Sequence, residues 1–311
     1  MANRLPTNMS LNIHIINDIA AELGVSAAFV EKDWHAVQVL KTIAEHRSEQ
    51  IETLFAGGTS LSKGYGLIQR FSEDLDFRCR YLYEGSNNQK KTIRRTYRTS
   101  IVNSVQSLDN VSLDTSKIAI ASNYIKFPLG YHHQSEAHAS LRPHLEVEFS
   151  FTQPRLTPQL KPIQSLIAEF TDSPPETELL CLSPIETGSD KLSALTWRVL
   201  KRDRSNPFDD PTIIRHLHDL CALTPLIEQD KSLFIKTTQT AFGEDQATGN
   251  RRTKMAIYPS FTSALAVLHK DTVYRQEYQQ FVAAMSYADD DDVIDFDQAL
   301  ASLETLVSLF R

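Results

Sequence analysis

The apolar positions change period along the chain, and the change divides it. From residue 13 to about 47 they recur at helical spacing, through Ile19, Ala20 and Leu23 and then Val30, Trp34, Val37 and Leu40. Gly24 splits this stretch into two expected helices. A short apolar run, 51–56, ends in Gly57-Gly58, and residues 59–68 read as a helix with Thr59 or Ser60 as its cap. Residues 70–80 (RFSEDLDFRCR) then alternate, with Phe71, Glu73, Leu75 and Phe77 on one face and Ser72, Asp74, Asp76 and Arg78 on the other. That is a strand with one polar face. A basic helix follows, carrying Arg94, Arg95 and Arg98, and then strands over 118–128 and 144–151. Beyond a Pro-rich connection at 156–175 the period is helical again, over 189–200, 212–223, 232–242, 258–268, 274–285 and 296–310. The expectation is an α+β chain: a mixed-sheet domain over 1–183 and a mainly helical domain over 184–311, divided near Pro184.

Composition narrows the setting. With 41% apolar and 23% charged residues among 311, a fibre or a disordered tail is excluded. Three cysteines, Cys79, Cys181 and Cys221, cannot close into a full set of bridges and form no CxxC pair, so a reducing, cytoplasmic setting is expected. No signal pattern and no apolar run of the roughly 18 residues that cross a bilayer is present, so no membrane partner is expected. A net charge of −7 argues against a broad nucleic-acid surface. Local basic clusters remain as RNA-facing candidates: Arg94-Arg95-Arg98, Lys201-Arg202-Arg204 and Arg251-Arg252-Lys254. His132, His133 and His138 fit no zinc spacing, and the acidic run 289–292 reads as charge complement to the helix after it.

The chemistry sits on the polar strand face. Asp74 and Asp76, two apart, point the same way and can share hydrated cations bridged by substrate phosphates. The glycine turn upstream lets phosphate approach backbone N–H groups. Each signal alone is common; the strand, turn, helix, strand order joins them.

The stretch FAGGTSLSKGYGLIQRFSEDLDF, 55–77, resembles the signature of the AbiEii/AbiGii toxin family, a branch of the DNA polymerase β-like nucleotidyltransferases. Glu31-Lys32-Asp33-Trp34, the SDKLSALTWR sequence at 189–198 and RHLHDL at 215–220 resemble further family motifs. The resemblance implies a polymerase β-like nucleotidyltransferase domain followed by helices. It implies Asp74 and Asp76 as ligands of Mg2+ or Mn2+, Gly57, Gly58, Thr59 and Ser60 as triphosphate cradle, Lys191 as phosphate contact and Asp219 as the last acid. A third metal carboxylate is drawn from the neighbouring strand, where Glu146 is the expected ligand and alternation does not separate it from Glu148. Lys63, Ser72 and Arg198 join the nucleotide-binding candidates, and Lys32 and Asp33 support the site from their helix. Two departures stand out: His216 replaces an aspartate of the family's RDxxDL pattern, and 204–211 is an extra loop that makes Asp209 or Asp210 a competing acid. The implied activity is transfer of a nucleoside monophosphate from a nucleoside triphosphate to RNA, the tRNA 3′ end above all, by a toxin with a cognate antitoxin. The alternatives are a protein or small-molecule acceptor, or a non-catalytic nucleotide-binding partner.

Overall fold

The computed structural model describes residues 11–207, 209–251 and 254–311; Arg252 lies outside the described residues. Helices α1 (Ile13–Glu22) and α2 (Ala27–Glu45) are capped by Asn12 and Ser26, and between them Gly24 takes φ 64°, a left-handed turn that favours glycine. Strand β1 (Ile51–Ala56) leads through α3 (Gly57–Lys63) to β2 (Asp74–Tyr81). The helix after the glycine turn thus starts two residues earlier than the side-chain caps suggested, with Ala56 as its uncapped start. Next come α4 (Asn87–Gln106), β3 (Val111–Leu113), β4 (Ala119–Ile120), β5 (Tyr124–Tyr131) and β6 (His144–Ser150). The Pro-rich connection is more structured than its composition suggests: it holds β7 (Gln159–Ile163) and α5 (Leu166–Phe170), and β8 (Thr177–Cys181) follows. The rest is helical: α6 (Pro184–Lys201), α7 (Arg215–Gln229), α8 (Lys231–Ala247), α9 (Ile257–Lys270), α10 (Thr272–Met285) and α11 (Phe296–Ser308).

Among the described residues the strands form one eight-stranded mixed sheet in the order β3-β5-β6-β2-β1-β8-β7, with β4 paired to β5. Central β2 runs antiparallel to β1 and parallel to β6. Strand alternation separates its faces. Leu75, Phe77 and Cys79 of β2, with Leu145, Val147 and Phe149 of β6, join Val37 and Leu40 of α2 and Ile93 and Tyr97 of α4 in one apolar core. The other face carries Asp74, Asp76 and Arg78 beside Glu146, Glu148 and Ser150, and it looks toward α6.

A second core is built by α6 to α11, around Leu192, Leu195, Leu217, Leu220, Phe234, Phe261 and Leu303, and it takes in Leu61 and Ile68 from the sheet side. The two halves are stitched by backbone: Phe71 N donates to Met285 O and Tyr287 N to Gln69 O. The last helix is capped by Asp295 through a capping box with Gln298. All three cysteines are unpaired. No single described helix is long and apolar enough to cross a membrane; α1 and α2 pass that test only as a pair bent by 116°.

Candidate active site

The parallel register of β2 and β6 sets Asp74 opposite Glu146 and Asp76 opposite Glu148. Beyond this polar face lies a cavity of about 250 Å3, roofed by α6 and the start of α7. Asp74, Asp76 and Glu148 line it, together with Gly57, Gly58 and Ser72. Glu146 does not line it; its carboxylate turns to Lys126, Arg142 and His144, at 3.7–3.8 Å. Gly57 is left-handed at φ 71°, and a Cβ there would fall 2.0 Å from Asp76 Oδ2. Glycine is needed at that position both for the turn and for the close approach of the carboxylate.

The three carboxylates differ in charge environment. Burial, reinforced by the charges of Asp74 and Glu148, pushes the Asp76 carboxyl up to about 7. The Asp76 carboxylate, unlike that of Asp74, is shifted by burial and neighbouring charges alone, with no hydrogen bond to its oxygens among the causes. Burial also raises Glu148, with Lys126 opposing. Asp74 goes the other way: burial opposes it, yet Arg215 and Arg142 hold it below the usual range. Its Oδ1 accepts from Arg142 at 2.6 Å and its Oδ2 from Arg215 at 3.0 Å. Among the described residues no trio of His, Cys, Asp or Glu is already closed around a metal position. The donor set nonetheless suits a hard cation, being all oxygen, and the strain of placing like charges together at Asp76 is what a divalent ion relieves.

The opposite wall is mainly cationic, its lining acid, Asp190, being paired with Arg78 and Arg155. Thr187, Lys191, Ala194 and Arg198 line the cavity as one stripe of α6. Lys191 donates to Asp219 Oδ2 at 2.7 Å, and Arg70 grips the same carboxylate through Nε and Nη2, both at 2.7 Å. Asp219 is wholly buried, and although burial opposes ionisation, Arg70 and Lys191 hold it well below the usual carboxylate range. Burial lowers Lys191 more than Asp219 raises it. Arg70 also packs on Gly58, whose absent Cβ would lie 2.6 Å from Nη2. Asp219 is thus a buried anchor for two cations, both of which line the cavity. Arg198 meets Asp210 at 3.6 Å, while Asp209 is taken by Arg202 at 2.7 Å. Neither loop acid lines the cavity.

The family described as nucleotidyl transferase AbiEii toxin, type IV TA system, matches residues 38–302. The chain belongs to the AbiEii family. It is a nucleotidyltransferase toxin of a type IV toxin–antitoxin system, a class that uses nucleoside triphosphates and is paired with a cognate antitoxin. A solved structure similar to this toxin is MenT4, a nucleotidyltransferase toxin from Mycobacterium tuberculosis H37Rv, with a TM-score of 0.56 and 15% identity. The match covers 97% of this chain and 100% of MenT4, and it shows a shared fold. No curated protein sequence matches the chain.

Other residues of the AbiEii motifs lie behind the cavity. Thr59 donates its hydroxyl to Asp74 O at 2.5 Å, and Ser60 is buried away from the cavity, beside Cys181. Lys63 is ion-paired with Asp33 at 2.5 Å on the far side of α3. Only Gly57 and Gly58 of the expected cradle face the cavity, because seven-residue α3 turns its other side chains inward. The Glu31-Lys32-Asp33 sequence makes tertiary contacts rather than an intrahelical pair. Glu31 accepts from Gln134 N and Ser135 N at 2.6 and 2.9 Å; Lys32 reaches Glu73 at 2.5 Å and Arg142 O at 2.7 Å; Asp33 accepts from Leu166 N at 2.8 Å. Glu31 and Lys32 hold the 132–143 loop that presents Arg142 to Asp74, and Asp33 ties α2 to the start of α5.

Arg70, Arg142 and Arg215 were not singled out by sequence pattern. Arg78, which alternation places on the polar face, pairs with buried Glu186 and with Asp190 at 2.7 Å. Each basic cluster gives up at least one arginine to internal contacts, while Arg95, Lys201 and Lys254 stay exposed. Arg98 donates to the Ala121, Ser122 and Tyr124 carbonyls, Arg202 to Asp209 and Glu277, and buried Arg251 to Ser193, Thr196 and Ser260.

Proposed function

We propose that this toxin transfers a nucleoside monophosphate from a nucleoside triphosphate to an RNA 3′ end, that of tRNA being the acceptor its family resemblance implies. The observation that carries the reading is the cavity itself, with three carboxylates on the sheet facing a cationic stripe on α6. Asp74, Asp76 and Glu148 would hold Mg2+ or Mn2+, which supplies charge neutralisation at the reacting phosphate and activation of the attacking hydroxyl. Glu148 replaces Glu146 in this proposal because only Glu148 lines the cavity.

The protein's own groups do the positioning. Lys191 and Arg198 face the triphosphate, and Gly57 and Gly58 let it approach the backbone without a Cβ in the way. Arg215 pairs with Asp74 inside the cavity, and a metal ion held by Asp74 would free its guanidinium for a phosphate oxygen, while Arg142 holds Asp74 from outside the lining. Asp219 acts through Lys191, fixing its ammonium, and Arg70 ties the same carboxylate to the glycine turn. Positioning and charge stabilisation suffice for this chemistry.

Incubation with α-labelled nucleoside triphosphate and total RNA tests the reading. Labelled RNA is expected from the wild type and none from Asp74→Ala; undiminished labelling by the variant removes the metal assignment. A second acceptor class, a protein or small molecule, is favoured by one observation: Arg98, Arg202 and Arg251 are spent inside the fold, which takes one cation from each basic cluster. Label that resists ribonuclease decides for that class.

A further inference from the structure

His216, the second residue of α7, lines the cavity beside Lys191, Arg198 and Arg215. Neither of its ring nitrogens has a hydrogen-bond partner among the described residues, and both are shielded from solvent. Buried polar atoms are nearly always paired, so two orphaned nitrogens on one cavity-lining ring point to a partner that arrives with the ligand. Burial and the three neighbouring cations keep the imidazole uncharged. An uncharged imidazole offers one donor and one acceptor. Phosphate oxygens can only accept, and the cations already serve them. A ribose hydroxyl or a base edge can both donate and accept.

The RHLHDL sequence has histidine where the motif it resembles has aspartate. A carboxylate at this position would pair with the adjacent cations. An uncharged ring leaves them to the ligand and adds a polar contact of its own. We infer that His216 is a specificity-determining residue that hydrogen-bonds an uncharged polar group of the bound nucleoside, next to the triphosphate contacts of Lys191 and Arg198. The inference rests on the nucleotide reading of this cavity and does not depend on the acceptor.

The test is equilibrium binding of the four nucleoside triphosphates, their 2′-deoxy counterparts and inorganic tripolyphosphate to wild type, His216→Ala and His216→Asn, with transfer kinetics beside it. His216→Ala should weaken the preferred nucleoside triphosphate about tenfold, the loss of one hydrogen bond, and leave tripolyphosphate unchanged. His216→Asn, which keeps a donor and an acceptor, should recover part of the loss. A rise in KM with little change in kcat is expected in transfer. A loss confined to ribonucleotides identifies the ribose as the partner, and a loss that depends on the base identifies the base edge. Equal weakening of nucleotide and tripolyphosphate, or no weakening in either variant, overturns the assignment. A wild type that binds no triphosphate overturns the nucleotide reading itself, an outcome distinct from failure at His216.

Discussion

Asp76 and Asp219 stand on opposite walls of one site, and their surroundings push them in opposite directions. On the sheet, Asp76 sits among Asp74 and Glu148, and its carboxyl is pushed up to about 7. On α7, Asp219 is locked between Arg70 and Lys191 and stays ionised far below the usual range. The first wall carries unbalanced negative charge and the second is balanced from within. An added cation therefore gains most at the sheet, whereas the helical wall is a scaffold that needs nothing further to hold Lys191 in place.

The largest expected effect is on the balanced wall. Asp219→Ala leaves Arg70 and Lys191 buried and unpaired, and should cost about 3–5 kcal/mol of stability in urea denaturation. A loss below about 1 kcal/mol would mean that the two cations find other partners and that the scaffold account is wrong. On the unbalanced wall the outcome is reversed. Asp76→Asn should lower label transfer at least about 100-fold without lowering the stability of the metal-free protein. A variant that is both inactive and strongly destabilised would contradict the contrast.

The two acids also give opposite pH signs. Asp76 has a folded pKa raised from 3.8 to about 7. Its contribution to stability is therefore present below about 4 and lost as pH rises to about 7. Asp219 has a depressed folded pKa, so its contribution is present above about 4 and lost only as pH falls further. In chelator, Asp76→Asn should flatten the stability profile between about pH 4 and 7 and leave the acid limb intact. An unchanged slope in that window would show that Asp76 titrates normally.

Smaller effects come from behind the cavity. Lys32→Met removes the link from α2 to Glu73 and to the Arg142 carbonyl, and should cost about 2 kcal/mol with faster amide exchange in 132–143. Unchanged exchange there would mean that Glu31 alone anchors the loop. Lys63→Ala is the mildest: transfer should stay within about twofold, since Lys63 faces Asp33 and not the cavity. A tenfold rise in KM for the triphosphate would return Lys63 to the nucleotide site.

Much of the site could be read from strand alternation, because a period of two places Asp74 and Asp76 on one face whatever the tertiary fold. The six long helices of the second half were legible for a similar reason, as was the α6 stripe of Lys191 and Arg198. Strand register was not. Alternation puts Glu146 and Glu148 on one face, but only the pairing of β6 with β2 sets Glu148 beside Asp76. The contacts of Thr59, Ser60 and Lys63 depend on how α3 leaves the glycine turn, which the composition of that turn does not specify. Arg70, Arg142 and Arg215 come from a bridge, a loop and a helix start 68 or more residues away from their acids, a convergence with no local signature. Strand β7 was hidden by Pro162 and its polar neighbours at the sheet edge, where unpaired backbone tolerates both, and β8 by its shortness and the prolines before it.

The claim that joins these observations is that the carboxylates lining the cavity, and not merely those on the same strand face, hold the metal. Mg2+-dependent transfer from α-labelled nucleoside triphosphate by Glu148→Gln and Glu146→Gln, measured side by side, tests it most directly. Transfer should fall at least about 100-fold in Glu148→Gln and stay within a few-fold of wild type in Glu146→Gln. Loss in Glu146→Gln with activity retained in Glu148→Gln would contradict the account.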